Sequence, residues 1–158
     1  MFLTVPINLY NHEYIIFMDK KKNIILENSF FTKILYSPRT ITINGLYIII
    51  NLKLATINNT AHNNKNIKCI GNLINCAENN SNLEKLFQIE KHILENYADY
   101  FSIRKIPIYM IRNSFYNGSF KIYEKINKNT CTFVFRISGI WESADEVGLT
   151  YKIESIPP

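Results

Sequence analysis

Three groups of side chains have types and spacings that could do chemistry. The first is the carboxylate set of WESADEVG, with Glu142, Asp145 and Glu146 close together. Paired carboxylates can move protons or hold Mg²⁺, but acids are also common where a solvated hairpin loop joins two strand-like runs, and this set lies between two such runs. The second is His62, Cys69 and Cys76. With a fourth ligand these would suit zinc, yet six-residue spacers are unlike the tight pairs of structural zinc sites, and an ordinary loop with small apolar thiols explains them as well. His12 and His92 stand far from both groups. No nucleophile elbow, Walker loop or dinucleotide-binding glycine pattern occurs, and the five glycines are dispersed. The expectation is a non-enzyme with no catalytic residues, no metal ligands and no cofactor.

The third group lies in SFKIYEKI, Ser119 to Ile126. A period of two puts Phe120 and Ile122 on one face of an extended chain and Lys121, Tyr123 and Lys125 on the other. The first face suits a core. The second alternates cation, planar ring and cation, which matches an unpaired nucleotide chain with one phosphate and one open base face per unit. A duplex hides its base faces, so this interleaving favours single strands. The competing explanation is that tyrosine suits strands and lysine solubilises their edges.

Charge placement points the same way. From Phe101 to Arg136 the bases are Arg104, Lys105, Arg112, Lys121, Lys125, Lys128 and Arg136, against one acid, Glu124. That segment carries +6, and the rest of the chain −1, to make the net +5. The same segment is rich in rings. The candidate nucleic-acid-binding set is therefore Tyr109, Arg112, Tyr116, Lys121, Tyr123, Lys125, Lys128 and Arg136, joined by Tyr47 and Lys53 from the more polar face of an earlier strand.

These residues need elements to hold them. Apolar runs bounded by turn residues predict strands at TVPINLY, EYIIFM, the apolar ends of IIFMDKKKNIIL, FTKILYS and the long TITINGLYIIINLKLATI. In the last, Leu46, Ile48, Ile50, Leu52 and Leu54 share the core face, and Gly45 marks a bulge or bend. From residue 58 to about 81 periodicity disappears, predicting a long loop that is expected to be flexible and accessible to protease. Ser81-Asn82-Leu83-Glu84 reads as a capping box. After it, Leu83, Leu86, Phe87, Glu90, Leu94, Tyr97 and Phe101 recur at helical spacing, predicting an amphipathic helix over about 82–100. Strands follow at KIPIYMI, SFKIYEKI, TFVFRISGIW and GLTYKIES.

Strands, one helix, then strands excludes the alternation of a parallel α/β sheet. With 158 residues, 47% of them hydrophobic, the chain fills one core, so residues 1–158 are expected to be a single domain. The fold class is mainly β with one helix: an OB-fold-like Greek-key barrel fits the order, and an antiparallel α+β sandwich fits it equally. The 21 asparagines and the 14 lysines against four arginines follow from an AT-rich coding genome and carry no functional argument. MFLTVPINLY lacks the basic start of a signal peptide and no run is apolar enough to span a bilayer, so an intracellular protein with reduced cysteines and no membrane partner is expected.

Two phrases, FTKILYSPRTITINGLYI (Phe31 to Ile48) and FRISGIWESADEVGLTYKI (Phe135 to Ile153), resemble small proteins of virus-like mobile elements, polinton-like and adintovirus-like, and of large DNA viruses of insects and other invertebrates. These group with viral OB-fold single-stranded-DNA-binding proteins. The resemblance covers about a quarter of the chain, and its motifs are not catalytic. It implies a replication accessory protein that coats single-stranded DNA, in the nucleus or at a viral replication site, with replication proteins as partners and self-association open. RNA as a rival ligand, and a structural or protein-interaction β domain as a rival function, stay open. One departure is the C-terminus, Glu154-Ser155-Ile156-Pro157-Pro158, which lacks the acidic tail that recruits partners in many such binders.

Overall fold

The computed structural model describes residues 3–62, 66–115, 117–127 and 129–157. The chain is mainly β with one long helix, and its described strands form open sheets that do not close into a barrel. The strands are β1 (Val5–Pro6), β2 (Ile15–Phe17), β3 (Lys21–Lys22), β4 (Phe30–Tyr36), β5 (Ile43–Asn44), β6 (Leu46–Asn51), β7 (Leu54–His62), β8 (Asn66–Leu73), β9 (Ile106–Ile108), β10 (Ser119–Ile122), β11 (Thr132–Glu142) and β12 (Glu146–Ile156). Helix α1 spans Ala77–Phe101, and a short α2 spans Met110–Ser114.

The larger sheet is organised by β11. One of its edges pairs along its length with β12 in an antiparallel hairpin. The other pairs with β6 from Thr132 to Ile137 and then with β4 from Gly139 to Glu142. The change of partner coincides with a register shift between Ile137 and Gly139. Glycine is needed there because a Cβ on Gly139 would lie 2.4 Å from the Thr32 carbonyl oxygen and 2.5 Å from the Phe31 ring. The core face of this sheet carries Phe133, Phe135, Ile137 and Ile140 from β11, Leu46, Ile48 and Ile50 from β6, and Val147, Leu149 and Ile153 from β12, all buried. Helix α1 adds Leu86, Ile89, Ile93, Leu94 and Tyr97 to the same continuous core. The smaller sheet, in the order β10-β8-β7, packs alongside, with Phe120 of β10 meeting Phe133 edge to face at 5.1 Å.

Several elements differ from expectation for identifiable reasons. The long strand over residues 40–57 is cut in two places: Gly45 takes φ +98° between β5 and β6, and the chain leaves the larger sheet at Leu52–Lys53 to enter the smaller one. Of the segment expected as a loop over 58–81, residues 63–65 lie outside the described residues, and most of the rest is instead the end of β7, all of β8 and the first turn of α1. Its asparagines and small residues mask a hairpin whose inward positions, Ile57, Cys69 and Leu73, meet the core. Helix α1 begins at Ala77, five residues before the expected start. The capping box at Ser81 is not used as a cap. Asn79 holds the first turn, accepting from the Lys53 N–H and donating to the Lys53 and Ile74 carbonyls, each at 2.8 Å. KIPIYMI divides into β9 and α2, and NIIL is an exposed turn.

Replacement of Gly139 by alanine sets a methyl group against backbone that cannot swing aside. Gly139→Ala is expected to cost about 1 to 3 kcal/mol of folding stability, the range for overpacking, measured as a lowered midpoint in urea.

Candidate nucleic-acid interface

The opening pattern of SFKIYEKI is set by how β10 meets its neighbours. β10 pairs antiparallel with β8, placing Phe120 opposite Gly71 and Ile122 opposite Cys69. The Phe120 ring lies so close that a Cβ on Gly71 would be 3.0 Å from it. Phe120 and Ile122 are each 1% exposed. Strand alternation then turns Lys121 outward, and it is exposed. The strand ends at Ile122, yet the chain keeps presenting side chains to solvent: Tyr123 is 75% exposed and Lys125 is exposed before Ile126 returns to the core. Glu124 accepts a hydrogen bond from the Ser155 N–H, which pins this segment to the edge of β12. Among the described residues neither Lys121 nor Lys125 has a carboxylate partner. Beside Lys121 a cleft of about 320 Å³ is lined by Asn113, Ser114, Asn117 and Ser119.

The other candidates do not gather there. Tyr109 and Arg112 line a separate, smaller cleft with Phe87, Gln88 and Lys91 of α1. Tyr47 is buried, and the Arg136 guanidinium lies over its ring, 5.3 Å from the centroid. This corrects the expectation of Tyr47 as an open stacking surface: the ring is covered by the protein's own cation. Lys53 is held by Glu78 at 2.6 Å, and that hydrogen bond raises its pKa. It is therefore already engaged. Tyr116 and Lys128 lie outside the described residues.

Sequence reading missed two cations. Lys152 stands opposite Arg136 in the β11–β12 register, on the outer face of the larger sheet, and Lys33 stands opposite Gly139 on the same face. Both are exposed, although Lys152 also reaches Glu154 at 3.5 Å. Alternation in GLTYKIES, with Leu149, Tyr151 and Ile153 inward, was the available signal for Lys152. Trp141 lies half-buried on this face, its ring so near Gly148 that a Cβ there would be 2.5 Å away.

The carboxylates of WESADEVG separate as well. Asp145 and Glu146 are exposed in the hairpin, as expected for a solvated loop, but Glu142 is 3% exposed. Its oxygens meet Lys20 at 2.7 Å and Lys105 at 2.6 Å, and the Tyr97 hydroxyl donates to it at 2.7 Å. Tyr97 in turn lies 3.2 Å from the Thr32 hydroxyl. The Lys20 ammonium also faces the rings of Phe101, Phe30 and Tyr97. Burial works against ionising Glu142, but Lys105, Lys20 and Tyr97 together outweigh it and hold the carboxyl below the usual glutamate range. Glu90 is fully buried on α1 and accepts from the backbone N–H groups of Ile111 and Arg112 at 2.8 and 3.1 Å. Burial raises its pKa, and these two amides only partly offset that. Neither acid opens onto a described cleft. Their partners give both a structural role. Among the described residues no cluster of His, Cys, Asp and Glu is arranged to hold a metal.

Glu142 supplies a pH test. Because its pKa is lower folded than unfolded, its stabilising contribution is complete above the unfolded glutamate value of about 4.3 and is lost as pH falls through the lower folded value. Unfolding midpoints should therefore fall on acidification, and Glu142→Gln should flatten that part of the profile. At neutral pH the substitution leaves two lysines facing a neutral group and is expected to cost about 3 kcal/mol, the low end for breaking a buried pair, since both lysines keep some water contact. Comparison with family models, curated proteins and solved structures finds no match, so a functional reading rests on this chain's own residues.

Proposed function

We propose that the chain is a non-enzymatic single-stranded-nucleic-acid-binding protein, with Lys121, Tyr123 and Lys125 as the centre of its binding surface. The observation that carries this reading is the 75% exposure of Tyr123 between two outward lysines, while Phe120 and Ile122 behind them are 1% exposed. A tyrosine so far out of the core adds little to folding. Between cations it supplies what an unpaired strand needs: a face for a base and charges for the flanking phosphates. Single-stranded DNA is the intended ligand, in line with the resemblance to viral OB-fold binders, and the role is that of a replication accessory in a virus-like element. In this reading the open sheets are a loosened relative of the OB-type barrel, and the strand runs over the outer side of β10 toward the edge of β12. Lys152, exposed on the outer face of the larger sheet, then extends the basic track.

A second reading, a protein-interaction domain of such an element, is favoured by a different feature. Ile24, Ile25 and Leu26 are 100%, 89% and 61% exposed at the tip of a turn. That turn is held in shape by the Ser29 hydroxyl donating to the Leu26 carbonyl and by the Asn23 side chain accepting from the Ile25 N–H. Three adjacent aliphatic side chains presented this way suit a partner protein.

Labelled DNA and RNA oligonucleotides titrated over a salt series separate the two. If about four phosphates are neutralised, log K falls against log salt with a slope near −3, at roughly −0.7 per contact for single strands. Lys121→Glu combined with Lys125→Glu should flatten that slope by about 1.4 and leave the fold intact. Tyr123→Ala should cost about 1 to 3 kcal/mol of binding with little change in stability, whereas Phe120→Ala should unfold the protein more easily by about 3 to 5 kcal/mol. Absence of binding to either oligonucleotide at low salt moves the interaction-domain reading ahead.

A further inference from the structure

The two sheets treat their edges in opposite ways. In the larger sheet every edge piece is only two or three residues long, and three of them are also blunted. β1 has two residues and ends in Pro6, β9 has three with Pro107 at its centre, and β3 is Lys21–Lys22. A proline removes a backbone donor, and lysines repel a second copy, so these pieces discourage further pairing. The smaller sheet ends differently. Its outer strand, β7, runs nine residues as LATINNTAH, with no proline and no Asp, Glu, Lys or Arg. On one side it pairs with β8. On the other, among the described residues, no strand pairs with it, and Ala55, Thr56, Asn58 and Asn59 are exposed.

We infer that the free edge of β7 pairs antiparallel with β7 of a second copy, joining two three-stranded sheets into one of six strands. Three properties of the edge select a second copy as the occupant. A strand meeting itself about a two-fold axis is self-complementary, as a two-fold dimer requires. A chain of net charge +5 repels itself on most surfaces, and an edge strand free of charged residues removes that repulsion where the copies meet. The exposed threonine and asparagines can hydrogen-bond across the new strand pair, as such side chains do between neighbouring strands. Assembly stops at two. The opposite edge of the joined sheet is β10, only four residues long and carrying Lys121. Each β10 then lies at an outer edge of the dimer, so the proposed binding centres stand apart on one extended sheet. The dimer itself rests on the strand edges and does not depend on nucleic-acid binding.

Sedimentation of the purified chain without nucleic acid, over a range of concentrations, tests the inference. The wild type should sediment with the mass of two chains and dissociate on dilution. Thr56→Lys combined with Asn58→Lys places charges on both copies of the exposed strand and should halve the sedimenting mass while the far-ultraviolet circular dichroism stays unchanged. Thr150→Lys, a cation added on the exposed side of β12, should leave the dimer in place. Should the double lysine variant fail to fold, Asn58→Pro and Asn59→Pro replace it. Backbone N–H groups alternate in direction along a strand, so one of the two prolines faces the free edge and spares the β8 pairing; that variant must be monomeric. A wild type that is monomeric at every concentration overturns the proposal, and so does a dimer that survives both the lysine pair and the folded proline variant.

Discussion

Glu142 is the constraint from which the rest of the structure can be followed. It ends the central strand on the core side, where an isolated carboxylate would be costly to bury. The cost is offset only by bringing three other parts of the chain to it: Lys20 from the link between β2 and β3, Lys105 from the segment before β9, and Tyr97 from α1. Lys20 comes with its charge against the rings of Phe30, Tyr97 and Phe101, which holds the β2–β3 link against the end of the helix. One buried charge thus sets how the β2–β3 link, the helix and the larger sheet meet. An apolar residue at this position could be buried in several arrangements; a carboxylate needing three donors accepts very few.

The position of α1 then passes to the candidate interface. Glu90 lies seven residues before Tyr97, two turns along the same face of the helix, and it receives the first amides of α2. The end of α2 leads through Phe115, whose ring meets Phe87, Phe120 and Phe135, into β10. Once Phe120 and Ile122 are seated, Lys121 has no direction but outward, and the tether from Glu124 to Ser155 keeps Tyr123 and Lys125 beside it. The backbone that carries the exposed ring is therefore anchored on both sides, by Phe120 and Ile122 before it and by Glu124 and Ile126 after it. That matters for the proposed role, because binding then costs less ordering of the backbone that carries the ring.

The local pattern of the candidate interface was legible in the sequence because a strand has a period of two and the residues of β10 obey it, with the outward and inward alternation carried on to Ile126. The sides assigned to Phe120, Lys121, Ile122 and Tyr123 needed only one apolar anchor to fix their phase. The grouping of the wider set was not legible. Tyr47, Lys53, Arg112 and Arg136 share composition with the centre, yet each is engaged or placed elsewhere. Charge summed along a chain does not say which residues face each other, since +6 in one segment can be spread over an α-helix, two sheets and opposite faces.

The sequence by itself determined the elements with strong periodicity: the body of α1, β4, β6, β11, β12 and the two faces of β10. It also determined that these would make a mainly β protein with one main helix, because amphipathic period and element order are local properties written in adjacent residues. Tertiary structure alone decided the rest. A hairpin lay hidden in the asparagine-rich stretch of β7 and β8, where polar outward residues conceal the inward Ile57, Cys69 and Leu73. The start of α1 moved because Asn79 found backbone partners 26 residues away at Lys53. Glu142, read as one of three loop acids, became the buried centre of an ion network because the register shift before Gly139 carried it to the core side. In each case the deciding partner is distant in sequence, so no window along the chain contains the interaction that fixes the outcome.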